Sequence, residues 1–206
     1  MKQAWNIAIG RQSGSGGHAV GLALAEKLGQ PFYDRELLFR VAQESGLSEH
    51  VVKSMDEKPR SLLYSLAMDP VSFRGGSLLH STPVEQQVYL ATFDTIRKLG
   101  KEAPGVFVGR CADHVLRDSP HILRVFLYAP LPWRIGQVQE REGLSPEEAK
   151  LSIQRTDKRR AAYYNAYAAH HWGEIQAYDL CIDTSLLGID GTVDLILEIL
   201  RRKDSE

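Results

Sequence analysis

The chain has 206 residues, a formal net charge of −1 at pH 7, and a composition that is 43% hydrophobic and 25% charged. These values are typical of one α/β domain, and the balanced charge argues against general nucleic-acid binding and against a polybasic membrane anchor. The apolar run WNIAIG near the N-terminus is too short for a signal peptide, and no stretch is long enough to span a membrane. We therefore expect a cytoplasmic protein without nucleic-acid or membrane partners; the sequence does not indicate its oligomeric state.

The two cysteines, Cys111 and Cys181, are too few for a disulfide framework and lack the spacing of a metal site. Each lies in or beside an apolar segment that is predicted to be a strand. We therefore interpret both as small buried hydrophobic side chains.

Short apolar segments alternate with helix-length segments along the chain. The predicted strands are 5–10, 30–34, 105–110, 122–130 and 178–185. Three of them are almost continuously apolar, as in parallel sheets that are covered by helices on both faces. The alternation predicts a doubly wound α/β fold, in which ligands bind at the carboxyl ends of the strands.

Three helices have specific signals. Ser145, Pro146 and Glu148 have the order of an N-cap, a first helical residue and the partner of a capping box. The segment 85–103 has apolar residues at helical spacing and is predicted to pack on the sheet. A similar stripe is predicted near the C-terminus, at Val193, Ile196, Leu197 and Leu200.

The segment SGSGG, residues 13–17, joins the first predicted strand to a predicted helix at 17–29. Glycines allow consecutive N–H groups to turn inward around a phosphate, and the following helix presents its N-terminus to the anion. The Walker pattern is met only in part, because Gly17 stands at the lysine position and His18 at the Ser/Thr position. Taken alone, the segment is compatible with a phosphate loop and with a structural turn.

The order of motifs along the whole chain resembles that of the cytidylate kinases. SGSGGHAVGLALAEKLGQPFYDRELLFRVA is similar to their phosphate loop, first helix and second strand, followed by an Asp and, six residues later, an Arg. The later segments resemble their GRD segment, arginine-bearing helix, arginine-rich lid and closing strand with its helix: VFVGRCADHVLRDSP, LRVFLYAPLPWRIGQVQER, IQRTDKRRAAYY and YDLCIDTSLLGIDGTVDLIL. The phrases GRCAD and SLLGI are closest to the divergent cytidylate kinase-like group.

This resemblance implies a three-layer α/β/α P-loop kinase fold with a five-stranded parallel sheet. It also implies a single domain over 1–206, a helical acceptor-binding region at 35–104, a lid at 142–172, and ATP and Mg²⁺ as ligands. Residues 46–84 are weakly patterned and rich in Pro, Gly and Ser. A long connection of this kind is usually functional or mobile.

The residues of the glycine segment that would bind the phosphates of ATP are Ser13, Gly14, Ser15, Gly16, Gly17 and His18. Arg11 is the nearest substitute for the missing lysine, and the alternative is that Arg11 is a salt-bridged surface residue. No metal ligand is certain, because an imidazole at position 18 replaces the usual hydroxyl ligand of Mg²⁺. Ser15, or water held by Asp34, are candidates for that role.

The family correspondence implies that Asp34 and Arg40 face the acceptor phosphate. Arg110, which ends the third strand at the same edge, and Asp113 are further candidate acceptor-binding residues. Cys111 stands where the family has an aspartate that helps to read cytosine, and Asp113 or His114 is a candidate replacement. An alternative for Asp34 is the N-cap of a helix at 35–45.

Arg155 and Arg159 are four residues apart, so they lie on one face of the lid helix and could clamp phosphates together. We assign them a catalytic role together with Arg11, and the alternative is an ordinary solvated helix. Asp157 and Arg160 lie elsewhere on that helix and are predicted to form an internal pair.

Arg134 and Arg141 follow the fourth predicted strand. They could serve the substrate, but we interpret them as members of surface ion pairs.

The leading hypothesis is a phosphotransferase that moves the γ-phosphoryl group of ATP to a nucleoside monophosphate or a similar small phosphate acceptor. An alternative is a nucleotide-binding sensor or partner protein that has lost catalysis, since the phosphate loop lacks its lysine. A third is a kinase for a non-nucleotide acceptor.

Overall fold

The fold is taken from a computed structural model that describes residues 4–34, Gly46 and 84–204. Its strands are β1 Asn6–Arg11, β2 Phe32–Tyr33, β3 Val106–Val108, β4 Ile122–Tyr128 and β5 Leu180–Asp183. They form one parallel sheet in the order β2-β3-β1-β4-β5. All five predicted strands are confirmed, and their carboxyl ends meet at one edge of the sheet.

Six helices connect and cover these strands in the part of the chain that the structure describes. They are α1 Gly17–Leu28, α2 Val84–Glu102, α3 Ala112–Val115, α4 Leu131–Glu142, α5 Pro146–Tyr167 and α6 Thr184–Lys203. The predicted capping box begins α5, where the Ser145 side chain accepts from the Glu148 N–H and the Glu148 carboxylate accepts from the Ser145 N–H. None of the described helices is both long enough and apolar enough to cross a membrane.

Helices pack on both faces of the sheet and give the predicted three layers. On one face, Leu24 of α1 and Ile196 of α6 pack with the side chains of Ile7 and Ile9. On the other face, α2 and α3 pack on β1 and β3 around Phe107. The predicted apolar stripes are therefore confirmed as the surfaces that cover a parallel sheet.

The predicted acceptor-binding region, 35–104, is described only at Gly46 and from α2 onward. Arg40 and nearly all of the weakly patterned segment 46–84 lie outside the described residues. In the predicted lid region, α5 packs on α4 through Val138, Ala149 and Ile153. This contact places α5 beside the carboxyl edge of the sheet, because α4 begins directly after β4.

Candidate active site

The glycine loop lies between β1 and α1, at the carboxyl edge of the sheet. Gly14 and Gly16 have φ values of 80° and 78°, which are favourable for glycine and strained for other residues. A Cβ atom on Gly14 would lie 2.7 Å from the carbonyl oxygen of Arg134, and one on Gly16 would overlap the side chain of Ile189. Both glycines are therefore favoured by backbone conformation, and Gly14 is also required by close packing against the backbone of Arg134.

Hydrogen bonds within and around the loop hold its shape. The N–H and the hydroxyl of Ser15 both donate to the carbonyl oxygen of Gln12, at 3.3 and 2.9 Å. The hydroxyl of Thr184 donates to the Ser15 carbonyl oxygen at 2.9 Å and to the Tyr128 carbonyl oxygen at 3.2 Å. Thr184 thus ties the loop to the ends of β4 and β5.

Arg11, the last residue of β1, turns its side chain across the sheet edge toward β3 and β2. The side chain is only 12% exposed, and its Nη2 atom lies 3.8 Å from Asp34 Oδ1. On the way it passes over the Cα atoms of Gly17 and Gly109, where added Cβ atoms would meet it. Arg11 forms an ion pair, but it does so inside the site and not on the protein surface.

His18 and Asp34 form a close pair beside the loop. His18 Nδ1 lies 2.7 Å from Asp34 Oδ2, and the imidazole makes an edge contact with the ring of Phe32. The His18 side chain is 62% exposed, whereas Asp34 is 12% exposed. Asp34 therefore links Arg11 to His18; its alternative role as a cap for 35–45 concerns residues that are not described.

The protein side chains alone make a poor cage for Mg²⁺. The hydroxyl of Ser15 is directed at the Gln12 carbonyl oxygen, and Asp34 faces Arg11 and His18. Within residues 4–34, Gly46 and 84–204, no three His, Cys, Asp or Glu side chains are arranged to hold a metal ion. The residues present fit a Mg²⁺ ion that is bound chiefly by phosphate oxygens and water, as is usual for this ion.

Arg110 follows β3 at the same edge. It and Cys111 have positive φ values of 57° and 55°, a conformation that costs non-glycine residues about 1–2 kcal/mol each. Arg110 is 6% exposed, and its burial, together with the positive charges of Arg11 and Arg160, lowers its pKa to about 10. The fold therefore holds a cation in a position that an anionic ligand would stabilise.

A cavity lies between the edge of the sheet and helix α5. We call it the arginine cavity, because Arg11, Arg110 and Arg160 line it. Aromatic side chains form much of the remaining wall: Tyr163, Tyr164, Trp172 and Tyr178. Charged groups with an aromatic wall are common in pockets for small polar ligands.

Asp113 also lines the arginine cavity, but its carboxylate is held by a side chain of helix α5. Tyr164 Oη donates to Asp113 Oδ2 at 2.5 Å. Burial raises the pKa of Asp113, although the hydrogen bond from Tyr164 acts in the opposite direction. The neighbouring His114 turns away from this pair and contacts Arg117.

Helix α5, in the predicted lid region, presents different residues to the site than its sequence predicts. Arg155 and Arg159 are on the exposed surface of α5, and their predicted catalytic role stays a prediction. Arg160 lines the cavity and donates through Nη1 to the carbonyl oxygen of Arg11 at 3.1 Å. The predicted internal pair of Asp157 with Arg160 is wrong, because Asp157 binds the glycine loop and Arg134 instead.

Asp157 and Arg134 form a buried pair on the loop. Asp157 Oδ1 accepts from the Ser13 N–H at 2.7 Å, and Asp157 Oδ2 pairs with Arg134 Nη1 at 2.6 Å. The same Arg134 atom donates to the Ser13 carbonyl oxygen at 3.3 Å. The prediction of a surface pair for Arg134 is therefore wrong, whereas Arg141 does pair with Glu142 on the surface.

The sequence matches known proteins over most of its length. The model of the Cytidylate kinase-like family matches residues 6–186. The chain belongs to this family. It is 27% identical to the cytidylate kinase of Methanothrix thermoacetophila over 95% of this chain and 97% of that one. It is 28% identical to the cytidylate kinase of Methanopyrus kandleri, over 92% and 90% of the two chains.

Solved structures show the same fold. A crystal structure of an uncharacterized protein from Eubacterium ventriosum ATCC 27560 superimposes with a TM-score of 0.73 and 29% identity, covering 96% of this chain and 98% of that one. Shikimate kinase from Acinetobacter baumannii has a TM-score of 0.51 at 15% identity, covering 100% and 97% of the chains. The predicted P-loop kinase fold is confirmed.

Four polar residues that contact the glycine loop or line the arginine cavity are not assigned to the site from the sequence: Arg134, Asp157, Arg160 and Thr184. For Arg134 a signal exists, since it lies in the first turn of the helix that leaves the carboxyl end of β4. Thr184 likewise follows the last strand directly. Arg160 carries no such signal, because it is one of several arginines on a long polar helix.

Proposed function

We propose that the protein transfers the γ-phosphoryl group of ATP to a nucleoside monophosphate or a related small phosphate acceptor. An oxygen of the acceptor phosphate forms the new bond to the γ-phosphorus, and the bond from that phosphorus to the β,γ-bridging oxygen breaks to release ADP. The observation that carries the proposal is that a glycine loop and three guanidinium groups share one edge of the sheet. Phosphoryl transfer depends mainly on such positioning and charge.

On the donor side, the loop from Ser13 to His18 and the N-terminus of α1 would bind the phosphates of ATP. Positive φ values at Gly14 and Gly16 shape the loop, and the first N–H groups of a helix attract anions. Mg²⁺ would supply charge neutralisation on the phosphate oxygens. Asp34 would contact the ion through water, since its carboxylate already faces Arg11 and His18.

On the acceptor side, Arg110 and Arg160 would bind the acceptor phosphate, with Asp113 in the wall of the same cavity and Asp34 beside Arg11. A phosphate dianion that binds among these guanidinium groups would offset the repulsion between their positive charges. The planar guanidinium group also matches the geometry of two phosphate oxygens. Arg40 belongs to this proposed set by family correspondence. Cys111 offers a buried thiol in place of a carboxylate, so we propose nucleoside monophosphates as a class and not cytidylate alone.

Arg155 and Arg159 are proposed to neutralise charge when the lid closes. Both are exposed on α5, and their contact with phosphates would require a movement of this helix. Closure that excludes water strengthens every charge interaction in the site.

The test measures ADP production from Mg·ATP with a panel of ribo- and deoxynucleoside monophosphates, with chromatography to detect the phosphorylated acceptor. Calorimetry on the same preparation measures ATP binding. We expect ATP binding and turnover with at least one acceptor. Arg110→Met should abolish most of that turnover, and Arg141→Ala, which changes an exposed arginine of α4, should leave it within twofold.

The sensor hypothesis is favoured by the missing lysine and by the carboxylate of Asp157 on the loop. Tight ATP binding without turnover on any acceptor would contradict the kinase proposal and support the sensor. A protein that binds no ATP would contradict both.

A further inference from the structure

The space beside Gly17, at the lysine position of the glycine loop, is already filled by the side chain of Arg11. A Cβ atom built on Gly17 would lie 2.7 Å from Arg11 Cβ and 2.8 Å from Arg11 Cγ. These separations are shorter than carbon atoms tolerate without movement. A lysine at position 17 and the present Arg11 side chain are therefore mutually exclusive in this backbone.

The guanidinium of Arg11 lies beyond Gly17, on the side of the loop that faces the arginine cavity. It passes directly over the Cα atom of Gly109, where any Cβ would overlap it. Gly109 has φ 81° and follows β3, so the glycine both permits the turn and leaves space for the cation. Two glycines on different elements thus accommodate one arginine side chain.

Neighbouring groups hold this arrangement from both sides. Asp34 Oδ1 faces Arg11 Nη2 at 3.8 Å, and Arg160 Nη1 donates to the Arg11 carbonyl oxygen at 3.1 Å. The Arg11 side chain is only 12% exposed and lines the arginine cavity with Arg110. A cation at this point lies between the loop that would hold the donor phosphates and the cavity that would hold the acceptor.

We propose that Arg11 contacts the transferring phosphate and supplies from strand β1 the positive charge that Walker-type loops supply from a lysine at position 17. In this arrangement the cation comes from the end of β1 and not from the start of α1. Gly17 and Gly109 leave the space that the Arg11 side chain needs. The inference rests on the proposed function, because it assumes that the loop binds the phosphates of ATP.

The first experiment compares Arg11→Ala with Arg141→Ala in ATP calorimetry and in turnover with the acceptor found above. Loss of one preorganised donor to the transferring group costs roughly 100-fold in kcat. We expect Arg11→Ala to lose about this much turnover and at least tenfold in ATP affinity, whereas Arg141→Ala stays within twofold in both. Thermal unfolding of each variant shows whether the fold is kept.

The second experiment exchanges the two positions. Gly17→Lys alone should lose at least tenfold in ATP affinity, because the new side chain conflicts with Arg11. Adding Arg11→Gly removes both Cβ and Cγ, so the double variant R11G/G17K should recover at least tenfold relative to G17K. Such non-additivity is expected of residues that compete for one space, and recovery of both ATP affinity and turnover indicates that the two cations share one role.

The outcomes separate this inference from the proposed function. Wild-type turnover combined with unchanged ATP affinity and turnover in Arg11→Ala would overturn the inference alone. A double variant no better than G17K would also overturn it. If the wild-type protein binds ATP but transfers no phosphoryl group, the ATP affinity of Arg11→Ala still tests whether Arg11 contacts the bound phosphates. Absence of ATP binding would overturn both proposals.

Discussion

The glycine loop and helix α5 contribute to the same candidate site by different means. The loop acts through its backbone, whose shape depends on Gly14 and Gly16 and on hydrogen bonds between residues three apart. Helix α5 acts through side chains that reach distant parts of the chain: Asp157 binds Ser13 and Arg160 binds the Arg11 carbonyl oxygen. A local motif therefore forms the cradle, whereas long-range contacts place the charges around it.

This difference explains why the sequence predicts the loop well and the side-chain contacts of α5 poorly. A glycine loop between a strand and a helix has a recognisable order and spacing. On a polar helix, successive residues differ by about 100° in direction, so two neighbouring arginines can face different environments. Arg159 is exposed, and Arg160, one residue later, lines the arginine cavity.

The largest effect is expected from a substitution that disturbs the backbone conformation of the loop. In Gly14→Ala, a left-handed alanine and the overlap with the Arg134 carbonyl oxygen should together lower the free energy of unfolding by about 3 kcal/mol. Chemical denaturation measures this loss. The matched control is Gly136→Ala inside α4, where an added Cβ meets nothing within 4 Å. This substitution should stabilise the protein by up to about 1 kcal/mol. Equal effects of the two variants would contradict a conformational requirement at Gly14.

A smaller loss is expected when the contact from α5 to the loop is removed. Asp157→Ala leaves the Ser13 N–H and the buried Arg134 guanidinium without their carboxylate, which should cost about 2 kcal/mol of unfolding free energy. The control Glu142→Ala breaks an ion pair on the surface and should cost less than about 0.5 kcal/mol. A further variant, R134M/D157L, should regain part of the loss; if it is less stable than D157A, the buried charge is not the cause.

The two neighbouring arginines of α5 give a third comparison. Arg160→Ala should raise the KM for the acceptor about tenfold, because it removes a cavity guanidinium, and Arg159→Ala should change this KM less than threefold. Steady-state kinetics with varied acceptor concentration measures both. A larger effect at Arg159 would indicate that the closed lid rotates or shifts α5 relative to the present structure.

The smallest effect concerns the pH dependence of stability at the contact between α3 and α5. Burial raises the pKa of Asp113 above its ordinary value of 3.8, so the unfolded carboxyl group ionises first as the pH rises. The wild type therefore loses stability through the window between 3.8 and the raised pKa. Asp113→Asn removes this loss and can still accept the Tyr164 hydrogen bond, so its Tm relative to wild type should be higher at pH 8 than at pH 4. A difference that is independent of pH would contradict the raised pKa.

The sequence by itself determined the sheet, the covering helices and the position of the phosphate loop. Apolar strands, the capping box at Ser145 and the glycines at 14 and 16 are local signals, because each depends on the conformation of a few consecutive residues. The edge position of Asp34 and Arg110 also follows from the order of strands and loops. These features can be predicted without knowing which distant residues are in contact.

Only the tertiary structure decided which charges surround the loop. It placed Arg134 on the loop instead of the surface, selected Arg160 over Arg159 as a cavity residue, and directed Arg11 across Gly17 and Gly109. The first two outcomes depend on the packing of α4 and α5 against the edge of the sheet, and the third depends on the missing Cβ atoms of Gly17 and Gly109. The sequence shows that a lysine is missing from the loop, but the packing around Gly17 shows which side chain occupies its space.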